Sequence, residues 1–189
     1  VWKLSAPEIE VDNDQGFGTA RNAVLPIGKV PVLWAPYFKF PIDDRRKTGL
    51  LFPQLGMSGR NGFDYTQPIY LNLAPNYDDT LMPRYMSQRG LMLDNEFRYL
   101  YNGGRGELLT AYIPNDKLRD RDRGRVMFSG YHNVDSHWQA RANLAWVSDE
   151  RYVEDFANRL VGVTASNLQS TVGLYGTGQN WTAGIMADR

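Results

Sequence analysis

Beyond residue 48 the chain alternates apolar and polar positions with a period of two, in runs close to the roughly 9 to 11 residues that a tilted strand needs to cross a bilayer. In the run 137–147 one face presents Trp138, Ala140, Ala142, Leu144 and Trp146, and the other His137, Gln139, Arg141, Asn143 and Ala145. The result is an apolar band with an indole at each end. In 91–101 the apolar face is Leu91, Leu93, Phe97, Tyr99 and Tyr101, interrupted by Asn95, with Asp94, Glu96 and Arg98 opposite. The run 180–188 repeats the pattern more weakly through Trp181, Ala183, Ile185 and Ala187. These periodicities predict strands at 48–58, 62–74, 79–88, 91–101, 106–114, 125–134, 137–148, 159–167, 170–177 and 180–189.

The first 40 residues read differently. Short β-like runs at 2–4, 8–11, 19–25 and 30–34 are separated by turn formers at 12–16 and 26–28. They are too short and too closely spaced for a meander of long strands, and suit the coils of a jelly roll or solenoid. Between the two regions, the stretch 32–53 brings an aromatic, proline-punctuated run against the charged cluster Asp43, Asp44, Arg45, Arg46 and Lys47 before a new apolar strand opens. It marks a junction between two kinds of β-structure.

A soluble sandwich also alternates, so the connections discriminate. Counted from the first long strand, the odd-numbered connections 115–124 and 148–158 are long and charged, while the even-numbered 75–78, 102–105 and 134–136 are short. Long loops on one rim and tight turns on the other belong to outer-membrane barrels, although two odd connections, at 58–61 and 88–90, are also short. Composition agrees with many strands and turns: 11 Tyr, 8 Phe and 5 Trp accompany 18 Gly and 10 Pro. Basic and acidic residues balance at 21 each, which leaves no nucleic-acid footprint. Without cysteine there is no disulfide, thiolate metal site or cysteine nucleophile. The sequence shows no signal segment and no apolar run of about 18 residues that could span a bilayer as a helix. Its abrupt start at Val1-Trp2-Lys3 suggests an internal fragment.

At the junction a family becomes recognisable. The run Pro36-Tyr37-Phe38-Lys39-Phe40-Pro41-Ile42-Asp43-Asp44-Arg45-Arg46-Lys47-Thr48-Gly49 is followed by Ile69-Tyr70-Leu71-Asn72-Leu73-Ala74-Pro75-Asn76-Tyr77-Asp78 and Met86-Ser87-Gln88-Arg89-Gly90. Together they closely resemble the LPS-assembly outer-membrane protein family, LptD. Asn95-Glu96-Phe97-Arg98-Tyr99-Leu100 and Val147-Ser148-Asp149 fit as well, so the resemblance covers nearly the whole chain. It implies an all-β protein in which the end of a periplasmic β-jelly roll, residues 1–42, is followed by the first antiparallel strands, residues 43–189, of a large outer-membrane β-barrel of about 26 strands. It implies lipopolysaccharide transport into the outer leaflet, a lipoprotein plug, LptE, inside the barrel, and the periplasmic bridge protein LptA feeding the jelly roll. No cofactor follows from it. Family members link the two domains through disulfides, on which a stretch without cysteine is silent.

The candidate chemistry is that of a lipid path. Acyl chains cannot cross the periplasm exposed to water, since each buried methylene is worth about 0.8 kcal/mol. An apolar groove can shield them, and Ile9, Val11, Val24, Val32 and Trp34 are candidate linings, with Tyr37 and Phe38 at the exit. The plain alternative is that they fill a dry core. Pro53 and Pro68 fall inside the first two predicted long strands, where a proline removes a ladder donor. The resemblance places them at the lateral gate, the seam between first and last strands, against the alternative of an incidental bulge. Arg45, Arg46 and Lys47 are candidate contacts for lipid phosphates beside the more ordinary role of junction ion pairs. The adjacent Asp43 and Asp44 lack fixed geometry, and three neighbouring cations hold them ionised, so they make no catalytic pair. Residues 115–125 read as a solvated charged loop that could alternatively meet surface phosphates. His132 and His137 lack a third ligand for a metal. Asn180-Trp181-Thr182 matches a glycosylation acceptor but falls inside a predicted strand. Arg98 and Arg141 point inward, toward plug or substrate. No catalytic motif is present, so the expectation is transport without catalysis. A passive porin and a soluble carbohydrate-binding β-sandwich are the rival readings.

Overall fold

The computed structural model describes residues 6–12, 14, 16–27, 30–41, 46–156 and 168–189. All regular structure among them is antiparallel β apart from one short helix, and the chain divides into two compact units, Val1–Leu50 and Leu51–Arg189.

The first unit holds β1 (Glu8–Asp12), β2 (Phe17–Ile27) and β3 (Val30–Pro41) in the order β1-β2-β3, followed by the two-residue β4 (Gly49–Leu50). Here the sequence expectation fails. β2 and β3 are 11 and 12 residues long and pair as a meander, where shorter separate runs are predicted. Pro26 does not end β2; it coincides with a register shift between Leu25 and Pro26, where the ladder tolerates a missing N–H. The predicted run 2–4 lies outside the described residues.

The second unit is one sheet, ordered β14-β13-β12-β11-β10-β9-β8-β6-β5, with β7 also on β8. Its elements are β5 (Gln54–Ser58), β6 (Gly62–Thr66), β7 (Ile69–Ala74), β8 (Tyr77–Met86), β9 (Gly90–Tyr101), β10 (Gly104–Asp116), β11 (Arg121–Asn133), β12 (Trp138–Val147), α1 (Tyr152–Phe156), β13 (Thr171–Gly178) and β14 (Trp181–Asp188). β12 pairs directly with β13 from Trp138↔Gly176 to Asn143↔Thr171. The predicted strand 159–167 falls outside the described residues. Asn180 sits in the turn before β14 rather than within a strand.

Up-and-down pairing sorts the connections onto two rims. The turns 59–61, 87–89 and 117–120 and the α1 connection share one, called here the α1 rim. The turns 75–76, 102–103, 134–137 and 179–180 share the other, called the tyrosine rim after Tyr77, Tyr99 and Tyr101. The long charged connection expected at 115–124 shrinks to 117–120. Its flanks stay in β10 and β11 because Asn115 and Asp120 take left-handed backbone (φ 47° and 51°) and a bulge between Ile113 and Asp116 absorbs the odd residue.

The two faces of this sheet are inverted relative to a soluble protein. The solvent-accessible face carries Leu93, Tyr112, Val126, Leu144, Trp146, Val172, Leu174 and Ile185, all exposed. Near the tyrosine rim a chain of rings runs Tyr77, Phe97, Tyr99, Tyr101 and His132, with Trp138 against Trp181 further along. Two strand glycines make room for this belt: a Cβ on Gly106 would stand 2.5 Å from the Tyr99 ring, and one on Gly176 2.7 Å from Trp138. The opposite face is polar and cross-braced by ion pairs, Arg84 with Asp64, Arg98 with Asp78, and Arg125 with Asp94 across the small Ala111. Arg141 lies over the Tyr175 ring at 5.1 Å. An apolar, ring-bordered exterior around a charged interior is the arrangement of a membrane barrel wall.

Candidate functional site

Both predicted first strands are interrupted. Pro53 lies in the gap 51–53 before β5 and Pro68 in the gap 67–68 between β6 and β7, so neither is inside a strand as expected. Proline has no N–H to give to a ladder, and a gap forms where a continuous strand would otherwise run. The gap is an interruption and not a slip. β6 pairs with β8 at Asp64↔Met86 and Thr66↔Arg84, and β7 resumes the same register at Ile69↔Leu81. Sparse bonds cross the region: Leu51 N donates to Pro68 O (2.9 Å) and Gln67 N to Pro83 O (3.0 Å). Pro83 is itself a third residue without a donor, in β8. β5 is the last strand of the sheet and pairs with β6 alone among the described residues. The weakest ladder therefore lies next to an open edge.

At the α1 rim the structure reveals a constellation that the sequence reading missed. Arg89 and Arg123 are each 1% exposed, among Asp116, Asp149, Asp155, Tyr152 and Phe156. Arg123 holds Asp149 with two bonds of 2.9 Å and, through Nη1, both Asp116 and Asp155 at 2.8 Å. Arg89 reaches Asn61 Oδ1 (2.9 Å), Asp116 (2.7 Å) and Asp155 (3.2 Å), and Arg119 adds two bonds of 3.0 Å to Asp155. The ring of Phe156 stands 5.0 Å from the Arg89 guanidinium and 4.9 Å from that of Arg123. Beneath lie Met86, Met92, Ala111 and Ile113. The short helix α1 is thus folded onto the polar face and locked there, which ties the turns 59–61 and 87–89, β8, β10, β11 and the 148–156 segment into one rim. The expected solvated loop is, at Asp116 and Arg123, fully buried. A signal was present: Arg121, Arg123 and Arg125 recur every second residue and so continue the inner face of β11.

The lock carries a pH dependence. Burial alone would push the Asp155 carboxyl upward, but hydrogen bonds from Arg119 and Arg123 and the charge of Arg89 outweigh it and hold it well below the usual carboxylate range. Asp149 is likewise lowered, with bonds from Arg123 and Ser148 outweighing its burial. A depressed folded value contributes stability that is present above the unfolded value, about 3.9 for Asp, and lost as the pH falls through the folded one. Thermal unfolding of the detergent-solubilised full-length protein is therefore expected to be flat from neutral pH to about 5 and to fall below about 4. Asp155→Asn is expected to lower the plateau and flatten that decline.

In the first unit, Ile9 and Val11 of β1 are about half exposed (53% and 54%), and Val24 in β2 is half-buried. Register sets Ile9 opposite Ala20, Ala20 opposite Phe38, and Val24 opposite Trp34, which puts Ile9, Val24, Trp34 and Phe38 at positions of one face. Tyr37 pairs with Arg21 and falls on the alternate face, so it does not join the others. Val32 lies in β3 past the register shift. Arg45, like Asp43 and Asp44, lies outside the described residues. Arg46 is exposed, whereas Lys47 donates to Gly16 O and covers the Phe17 ring at 4.3 Å. His132 bonds Tyr101 and His137 stacks on Trp181, so the two histidines serve separate ring clusters.

Comparison with known proteins adds what geometry cannot. The family model LptD: LPS transport system D matches residues 121–189. The chain is 74% identical to LPS-assembly protein LptD of Xanthomonas axonopodis pv. citri over its whole length, covering 23% of that protein. It is 73% identical to the protein of the same name from Xanthomonas euvesicatoria pv. vesicatoria and 70% to that of Xylella fastidiosa, in each case over all of this chain and 24% of the relative. The chain therefore spans about a quarter of the length of these curated relatives. With every part of it aligned at this identity, the chain belongs to the LPS-assembly protein LptD family.

Proposed function

We propose that this chain is the junction of a lipopolysaccharide translocon of the outer membrane, where a periplasmic jelly roll, ending near residue 42, passes its cargo to the first strands of a barrel of about 26 strands. The observation that carries this reading is a proline-interrupted ladder, at Pro53 and Pro68, beside the open edge strand of a sheet that is apolar outside and charged inside. Acyl chains travel along the face shared by Ile9, Val24, Trp34 and Phe38 and leave sideways through the seam at β5, while the polar saccharide follows the charged inner face. Because β5 runs toward the α1 rim, so that the chain reaches it from the side of the tyrosine rim, the tyrosine rim is periplasmic and the α1 rim faces the cell exterior. Arg46 and Lys47 stand where lipid phosphates pass the junction. An LptE plug fills the lumen against residues such as Arg98 and Arg141, and LptA delivers cargo from the periplasm.

A porin would share the barrel wall but gain nothing from a weakened seam. A soluble carbohydrate-binding sandwich would bury its apolar face rather than display Leu144, Trp146 and Ile185. Depletion of the full-length protein distinguishes the readings: surface lipopolysaccharide on intact cells should disappear while general solute uptake persists. Loss of solute uptake with surface lipopolysaccharide retained would establish the porin instead.

A further inference from the structure

We propose that Gln67 is the latch of the proline-interrupted seam, supplying from its side chain the hydrogen-bond donor that Pro68 lacks. Residues facing each other at a hydrogen-bonded position of an antiparallel pair exchange two bonds, one N–H to C=O in each direction. Between Leu51 and Pro68 only one of them can form. Leu51 N donates to Pro68 O at 2.9 Å, and the return bond to Leu51 O has no backbone donor, because proline carries no N–H. Leu51 O is nevertheless satisfied: Gln67 Nε2 donates to it at 2.9 Å and also to Pro68 O at 3.1 Å. The other end of the amide is fixed as well, since Tyr65 Oη donates to Gln67 Oε1 at 2.9 Å. With both amide protons on carbonyls and the oxygen held by a phenol, the side chain has one productive orientation.

A ladder closed by a side chain differs from one closed by backbone. Withdrawing a backbone donor unravels the strand, whereas a glutamine can swing away by rotation about its own bonds and leave β6 intact. Pro68 thus removes a bond that would open only at the cost of the strand, and Gln67 replaces it with one that is closed at rest and releases cheaply. Tyr65 and Gln67 are positioning residues: neither is asked to touch cargo. The inference rests on the reading of this seam as the lipid exit.

The test uses the full-length protein in cells and reads uptake of a large hydrophilic antibiotic that intact outer membrane excludes. Gln67→Leu keeps the bulk of the side chain and removes its donors. Uptake should rise about fivefold, the ratio matching one net hydrogen bond of about 1 kcal/mol. In a Pro68→Ala background the alanine N–H can bond Leu51 O directly, so the same substitution should change uptake by less than about twofold, the signature of a shared bond. Cancellation of this kind is not expected of a merely structural residue. Equal effects of Gln67→Leu in both backgrounds, or silence in both while Pro68→Ala alone slows lipopolysaccharide export, overturn the latch and leave the seam reading standing. Unchanged export in Pro68→Ala alone overturns the seam reading, and the latch with it.

Discussion

Arg123→Ala in the full-length protein is expected to release α1 from the rim and to destabilise the assembled barrel by about 3–5 kcal/mol, the cost of removing one partner from a buried charge cluster. The size follows from what is left behind. Arg123 supplies four hydrogen bonds to three carboxylates that are themselves nearly inaccessible; without it Asp149 would keep Ser148 and the exposed Arg121, Asp155 would keep Arg119 and share Arg89 with Asp116, and Asp116 would have Arg89 as its remaining cation among the described residues. The packing of the guanidinium against Tyr152 and Phe156 goes with it. Arg123→Met, which restores bulk but not charge, should recover little. By contrast Arg121→Ala removes a half-exposed pair to Asp149 and should cost less than about 1 kcal/mol. The readouts are the temperature at which the detergent-solubilised protein loses its compact gel mobility and the rate of tryptic cleavage after Arg151. A rim as stable and as protease-resistant in Arg123→Ala as in the parent protein would show that the cluster only decorates the fold.

The second large effect lies at the seam. Pro68→Ala returns a backbone N–H opposite Leu51 O, the carbonyl that Gln67 Nε2 otherwise holds, and Pro53→Ala restores an N–H to the gap before β5. At a net of about 1 kcal/mol, a backbone bond at position 68 that opens only with the strand makes opening about fivefold rarer, and the double variant reaches up to about 25-fold if the N–H at position 53 gains a bond as well and the two sites act independently. The double variant should therefore assemble normally, or with greater thermal stability, and yet deliver lipopolysaccharide to the surface more slowly. Its export defect would grow as its stability rises, the reverse of an ordinary destabilising substitution. Pulse-chase labelling of newly made lipopolysaccharide, read on intact cells, measures the rate. Export at the parental rate in a stably assembled double variant would leave the prolines as incidental breaks.

How much of this was readable in the sequence depends on the range of the contacts involved. The faces of β9 and β12 follow from alternation alone, because a strand offers no other way to separate Leu144 and Trp146 from Arg141 and Asn143. The identity of the breaking residues was readable too. Their consequence was not: a proline inside a β-like run leaves open whether the strand bends through, as at Pro26, or stops, as at Pro53 and Pro68, and the partner strand decides. The rim cluster was hidden for a related reason. Arg89, Asp116 and Asp155 are scattered along the chain, and only the pairing of β8 through β12 brings them together. Read locally, their segments are merely charged. Gln67 is the extreme case, a single polar residue whose role exists only because the return donor is missing.

The lipid path proposed above leads from the first sheet to the seam. It is tested most directly by in-cell photo-cross-linking from the full-length protein, with a photoreactive residue at position 34 in one strain, at position 51 in a second and at the outward-facing position 174 in a third. Lipopolysaccharide adducts at 34 and 51 that depend on continuing synthesis, with a synthesis-independent signal at 174, are the predicted result. Adducts absent from both 34 and 51 in protein that is folded and located at the cell surface would contradict it, and would leave a barrel wall whose cargo passes elsewhere.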